Sequence, residues 1–471
     1  MELTRRDILR TGAAAAAVTG FPHIAKAGKV GDRIRMGFIG IGNRGSQLLQ
    51  SFMRMPDVEV TALCDVYKPY LDRDHAAIDP KIIANCTPEG CKPPWFIPDL
   101  DEKFEREPKR YTDYRRLLED KEVDAVCIGT PDHWHALQVC DAVSAGKDVY
   151  CEKPLTRTVA EGRFMVDFCA RTDRVVAVGI QRRSSALFRQ FKDQLRTGKY
   201  GKIIACRHGW SGNYGPNGIG RCAPCEPSPG LDWDAWLGPA QKVPFRYTLC
   251  PYMFRWHYDF CNQLANQGVH SLDAFRWLMD ETAPVAVSAT GGRYWLDDDG
   301  DVPDTMECTW EFPDRKIIQF SIYEAGQAYL NAPRDLEIIL SDGAAYLSSA
   351  NGYRFIPSNN RLFHNPRKPT FEAIERKVVE KVVLKDNSGA SATDACVRNF
   401  LDCVKSRQEP YVSLEEGHRS TSLAHIANIA CRLKMRLEWD GVRERFTNSE
   451  EANRLLSCPY RAPYRRYPGL G

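Results

Sequence analysis

A short apolar run from Ile34 to Ile41 breaks at Gly40-Ile41-Gly42-Asn43-Arg44-Gly45 and gives way to Ser46 to Met55, where apolar positions recur at helical spacing. That order predicts strand, tight turn, helix. A second strand, Val58 to Cys64, ends at Asp65; Val123 to Ile128 reads as another buried strand, Trp134 to Ala145 as a helix and Asp148 to Cys151 as one more short strand. Strands alternating with helices predict a parallel, doubly wound α/β sheet. Further on the period changes. Ala286-Thr290, Met306-Glu311, Ile317-Tyr323, Leu336-Leu340 and Ala344-Leu347 are strand-like and separated by turns such as Pro313-Asp314 and Asp342-Gly343, which predicts a large, mostly antiparallel open sheet in an α+β unit. Ala395 to Val404 and Leu414 to Leu437 look helical and close the fold. Two stretches carry no period: 82–108, read as an inserted loop, and 209–244, a Gly/Pro-rich segment with Trp210, Tyr214, Trp233 and Trp236, of the kind that lines ligand clefts.

At 471 residues the chain is long for one domain. The pattern divides it into a dinucleotide-binding Rossmann domain at 33–155, a substrate-binding domain at 156–440 and a tail at 441–471. Sixty-four basic against sixty-one acidic side chains, with no block of either sign, argue against nucleic acid as a partner. Residues 1–27 read as an address: Arg5-Arg6, an Ala-rich run through Ala17, then Ala25-Lys26-Ala27, the order of a twin-arginine export signal cleaved after Ala27. The expectation is a periplasmic or otherwise exported protein with no stable membrane insertion after cleavage.

The turn after the first strand is the first chemical signal. In G-x-G-x-x-G, Gly40 permits the tight turn, Gly42 lets the backbone approach a pyrophosphate, and Gly45 lets helix and strand pack closely; Asn43 and Arg44 lie on the same turn. Asp65, 20 residues after Gly45, is placed to bind ribose hydroxyls and to repel a 2′-phosphate, which favours NAD over NADP. Gly129-Thr130-Pro131-Asp132-His133-Trp134-His135 and Tyr150-Cys151-Glu152-Lys153-Pro154 follow at later strand ends, where open α/β sheets bind ligands.

These motifs, with Gly268-Val269-His270-Ser271-Leu272-Asp273, stand in an order that resembles the Gfo/Idh/MocA oxidoreductases over about residues 33–440. The resemblance implies an NAD-dependent hydride-transfer site on a sugar, glycoside or polyol. In it Lys153 lies near the nicotinamide and His270 is the acid/base group, with Thr130, Pro131, His135 and Glu152 on the cofactor and Arg182 on substrate. An ammonium that stabilises a developing alkoxide and an imidazole that takes its proton make chemical sense together. Trp256 and Tyr258, in an aromatic stretch just upstream, are further candidates for the sugar cleft, with membership of the domain core as the alternative. Many family members carry Asp four residues before the histidine. Here that position is Asn266, which orients a hydroxyl but accepts no proton, so the base is open among His270, Lys153, Tyr258 and Asp259. Asn266-Gln267 resembles an exported subgroup, and the resemblance also implies a homo-oligomer paired through the open sheet.

Seventeen cysteines, an odd number, cannot all pair within one chain. Cys86 with Cys91 and Cys222 with Cys225 are the two pairs that oxidation could join; free thiols remain open, and a lone C-x-x-C is short of ligands for a metal. Three functions are compatible with the residues: a dehydrogenase with tightly bound cofactor, a glycosidase that oxidises its sugar transiently at C3 and eliminates, and a sugar-binding protein without turnover.

Overall fold

The computed structural model describes residues 32–87, 95–212, 214–324, 335–348, 352–358, 382–384 and 391–470. Residues 1–27, where the export signal is expected, and Cys91 lie outside them. The first sheet is parallel throughout, with β1 (Ile34–Ile39), β2 (Val58–Cys64), β3 (Lys109–Tyr111), β4 (Ala125–Ile128), β5 (Asp148–Cys151) and β6 (Val176–Val178) in the order β3-β2-β1-β4-β5-β6. Every residue of β4 and β5 is buried, as expected of strands covered on both faces. The order reverses between β1 and β4, and a crevice opens beyond their C-terminal ends. β6 carries the sheet past residue 155. Helix Val159–Cys169, started by a reciprocal Thr158/Glu161 capping box, returns the chain to the sheet edge.

The second sheet has β7 (Ile203–Ser211), β8 (Ala286–Gly292), β9 (Thr305–Phe312), β10 (Lys316–Tyr323), β11 (Leu336–Leu340), β12 (Gly343–Ser348), β13 (Gly352–Pro357), β14 (Val382–Leu384), β15 (Leu437–Asp440) and β16 (Arg445–Phe446), in the order β14-β13-β12-β11-β7-β10-β9-β8-β15-β16. All neighbours are antiparallel except β7 and β10. Burial alternates along β11 and β12, and the buried face packs on helices Val269–Leu278 and Leu414–Leu433. The latter is shorter than its pattern predicts, because Lys434 turns left-handed at φ 53° and sends 437–440 into the sheet.

Asp273 is fully buried between these helices: Oδ2 accepts from Arg183 Nε at 2.8 Å and Oδ1 from Ser420 Oγ at 2.7 Å, while Arg183 and Arg276 both donate to Glu416. Arg183 is thus a buried ion-pair partner. The aperiodic stretches also have a core. Ile82, Cys86, Phe96 and Ile97 pack with Trp236, Phe245, Phe254 and Phe260. The tail forms a strap over this region, with Arg461 donating to Gly238 O and Asp234 and Tyr467 donating to Asp141 Oδ1 at 2.7 Å. Among the described residues no helix is long and apolar enough to cross a membrane. The described cysteines are free thiols; Cys222 and Cys225 lie within hydrogen-bonding reach of each other.

Candidate active site

A cleft of about 500 Å³ runs along the crevice from Asp65 and Thr112 at one end to Lys153, Asn266 and Gln267 at the other. The glycine turn forms its floor. Gly40 has φ +79°, and a Cβ there would stand 2.8 Å from the Thr130 amide nitrogen. A Cβ on Gly45 would stand 2.0 Å from Gly40 O, so the helix rests directly on the turn. Among the described residues no side chain caps the helix that follows Gly42, which leaves its first-turn N–H groups to the cleft that Gly42, Asn43 and Arg44 line. Asn43 donates to Trp95 O, and Arg44 Nε donates to Glu152 Oε1 at 2.7 Å. Asp65 accepts the Ile41 N–H at 2.8 Å and the Tyr67 N–H at 2.9 Å, and burial pushes its carboxyl up to about 6 against those two bonds. It therefore ties the glycine turn to the end of β2 as well as lining the cleft. Bare turn, uncapped helix start and a half-buried acid at the second strand end fit a dinucleotide.

At the other end Lys153 Nζ donates to the Asn266 carbonyl at 2.8 Å and to its Oδ1 at 3.1 Å, and burial lowers its pKa. Thr130, Pro131 and Glu152 line the cleft beside it. Asn266 sits in a π-turn, Leu264–Gly268, immediately before helix Val269–Leu278. Widened turns of this kind recur at functional sites. Asn266 lines the cleft, and His270, four residues on, is near enough to Lys153 to feel its charge. His270 Nδ1 is buried without a hydrogen-bond partner among the described residues, and burial together with Lys153, Arg182, Arg44 and His208 holds its pKa well below the usual histidine value.

Gly45, His135, Arg182, Trp256, Tyr258 and Asp259 lie outside the lining. His135 is fully buried with its ring nitrogens 2.9 Å from Pro154 O and 2.8 Å from Thr130 O, a brace behind the cleft wall. Arg182 donates to Ser271 Oγ at 3.0 Å, and burial brings its pKa down to about 10. Trp256 is in the core and donates to Glu324 Oε2 at 2.9 Å, and Tyr258 stacks under Arg432 at 5.1 Å. The aromatic and cationic lining comes instead from Tyr252, Phe254, Arg255 and Trp236, with Tyr464 contributed by the tail. Arg255 and Phe254 are in the aromatic stretch that the sequence marks, and Trp236 in the Gly/Pro-rich one. For Tyr464 no motif gave a signal.

Segment 230–232 is tied to the chain just after β2, and Leu231 and Asp232 line the cleft: Lys68 N donates to Gly230 O at 2.9 Å, Asp232 N donates to Val66 O at 3.0 Å, and Tyr67 forms a bridge with Leu231.

Comparison with known proteins agrees with this architecture. A family model described as "Oxidoreductase family, NAD-binding Rossmann fold" matches residues 97–180, and its companion, "Oxidoreductase family, C-terminal alpha/beta domain", matches 203–333 and 382–466. A Glycosyl hydrolase family 109 protein 1 of Shewanella sp. (strain ANA-3) is 31% identical over 145 residues, 30% of this chain; the match spans only 27% of that relative's length. Among solved structures, the aldose-aldose oxidoreductase of Caulobacter crescentus complexed with glycerol superposes with TM-score 0.59 at 17% identity over 86% of this chain and 99% of that one. A levoglucosan dehydrogenase complexed with NADH and levoglucosan does so with TM-score 0.60 at 16% identity over 86% and 99%. At those identities the likeness is one of fold.

Proposed function

The chain belongs to the Gfo/Idh/MocA oxidoreductases, a family of NAD-binding enzymes, and on that footing we propose that it transfers hydride to or from a hydroxyl-bearing carbon of a sugar, glycoside or polyol. The observation that carries this reading is the Lys153 ammonium at the end of the cleft remote from Asp65. Bound NAD supplies the hydride acceptor or donor. Gly40, Gly42 and the uncapped helix start take the pyrophosphate, and Asp65 takes the ribose hydroxyls. Tyr252, Phe254 and Trp236 offer apolar faces to the sugar, and Arg255 and Gln267 offer donors.

Lys153 is the acid/base group of this proposal. In the oxidation direction its neutral amine takes the hydroxyl proton as the C–H bond gives up hydride, and the resulting ammonium stabilises oxyanion character on the substrate. Burial lowers its pKa and so favours that neutral form. His270, held neutral beside it, is a supporting group. Asn266 orients the amine, and Tyr258 and Asp259, outside the lining, take no part.

The lining contributed by Leu231, Asp232 and the tail residue Tyr464 favours a cofactor that stays bound through turnover. That suits an exported enzyme, because an exported protein meets no obvious pool of NAD; export through the twin-arginine leader and pairing through the open face of the second sheet belong to the same proposal. The family 109 relatives favour a second reading, in which oxidation at C3 is transient and a glycosidic bond is broken by elimination. One experiment separates them: purified protein is incubated with a panel of glycosides while nicotinamide absorbance and product mass are followed. A lasting absorbance change or an oxidised product supports the first reading, and free sugar without either supports the second. No reaction with any hydroxylated substrate, with NAD bound, overturns both.

A further inference from the structure

Lys153 meets an amide where a carboxylate would serve it more directly, yet that amide is the end of a longer chain. Lys153 Nζ donates to Asn266 Oδ1 at 3.1 Å, Asn266 Nδ2 donates to Gln263 Oε1 at 3.0 Å, and Gln263 Nε2 donates to Glu324 Oε1. Trp256 Nε1 donates to the other oxygen, Oε2, at 2.9 Å. Glu324 is fully buried at the end of β10, and Gln263, Asn266 and Trp256 are buried with it. Its backbone is held on both sides, with its N–H donating to Asp304 O at 2.8 Å and its carbonyl accepting from Tyr214 N at 2.9 Å.

We infer that Glu324 is a positioning residue for Lys153: through Gln263 its carboxylate decides which atom of the Asn266 amide faces the amine. The inference rests on the proposed role of Lys153. An ionised carboxylate only accepts, so Gln263 must turn its NH₂ toward it and its oxygen toward Asn266. Asn266 then has to give its NH₂ to Gln263, and its oxygen is left for Lys153. Were Glu324 neutral, its hydroxyl could donate and both amides could turn over, which would aim Asn266 NH₂ at the amine. That arrangement favours the uncharged form of Lys153. The negative charge that a hydride-transfer site would set beside its lysine is thus expressed at two removes, as the orientation of two amide dipoles. Burial also pushes Glu324 up to about 7, so the chain changes polarity within the working range of pH. Arg293, Asp304 and the Tyr214 hydroxyl are the other ionisable groups around it.

The test uses the full-length protein with and without bound NAD. Lys153 reactivity toward an amine-acylating reagent is measured against pH by mass spectrometry of its peptide, beside the pH profile of kcat. In Glu324→Gln, whose neutral amide imposes no order on the chain, Lys153 should acylate about tenfold faster at a fixed pH between 7 and 8, equivalent to a downward shift of about one pKa unit. The limb near pH 7 in kcat should disappear, and NAD affinity should stay within about twofold. Asn266→Ala cuts the chain, and in that background Glu324→Gln should add nothing. An unchanged Lys153 profile in folded Glu324→Gln, or equal effects of Glu324→Gln with and without Asn266, overturns the inference. If Glu324→Gln does not fold, Trp256→Phe removes a donor to the carboxylate and should move the same limb to higher pH; no movement is the overturning result. The acylation readout needs no substrate, so it stands even if the sugar reaction is not found.

Discussion

Replacing Asp273 by asparagine is expected to destabilise the second domain without touching the cofactor. Asp273 is 0% exposed and Arg183 is 4% exposed, so their ion pair is screened from water. Breaking such a pair while one charge stays buried costs about 3–5 kcal/mol. Two features hold the cost to the lower end: Arg183 keeps Glu416 Oε2 at 2.6 Å, and asparagine retains an acceptor for Ser420. For a cooperative unit of roughly 280 residues, with unfolding entropy of about 2.1 cal/mol/K per residue, ~3 kcal/mol corresponds to a fall in Tm of about 5 °C. Calorimetry of the melting transition, run beside titration of NAD, is the assay. No member of the Asp273, Arg183, Arg276 and Glu416 group lines the cleft, so the affinity should change by less than about twofold. An unchanged Tm would refute the buried-pair argument, and loss of NAD binding at an unchanged Tm would move Asp273 from the scaffold to the site.

Gly45→Ala places a methyl group 2.0 Å from Gly40 O, and backbone must shift to admit it. Equilibrium titration should show NAD affinity reduced at least about tenfold, the cost of even a modest overpacking, and wild-type affinity would contradict the close-packing role. Lys153→Met should lower hydride transfer by about 10³-fold, the scale of losing an electrostatic stabiliser, while NAD binding stays within a few-fold; single-turnover absorbance checks both. Asp65 gives a pH dependence whose sign follows from its raised pKa: the ionised form that accepts ribose hydroxyls is full well above about 6 and is lost as pH falls through that value. Affinity for NAD should therefore weaken by up to about tenfold per pH unit below it, and in Asp65→Asn the slope should vanish. A slope that persists in the variant would assign it to another group.

The wall of the cleft that the strand ends build was legible because its determinants are local. Gly40, Gly42 and Gly45 act within one turn, Asp65 closes the next strand, and Lys153 ends a short one, so strand-and-turn reading brings them to one edge of the sheet. The rest of the lining is assembled differently. Tyr464 reaches the cleft on a tail that Arg461 ties to Asp234, and Trp236 is held by Trp134 Nε1, which donates to its carbonyl at 3.0 Å, contacts that involve segments without any period. Trp256 and Tyr258 look like cleft aromatics in sequence for the same reason that they pack well in a core: a large apolar face with a polar tip serves either purpose. The π-turn is a second blind spot, since hydrophobic periodicity at Leu264 to Leu278 is indifferent to one widened turn. Asn266 itself is the strongest case. Alone it reads as the loss of a proton acceptor; joined through Gln263 to Glu324, nearly sixty residues further along the chain, it is the near end of a buried carboxylate's influence on Lys153. A one-residue departure from a family pattern therefore acquires chemical meaning only when the far end of its hydrogen-bond chain is known.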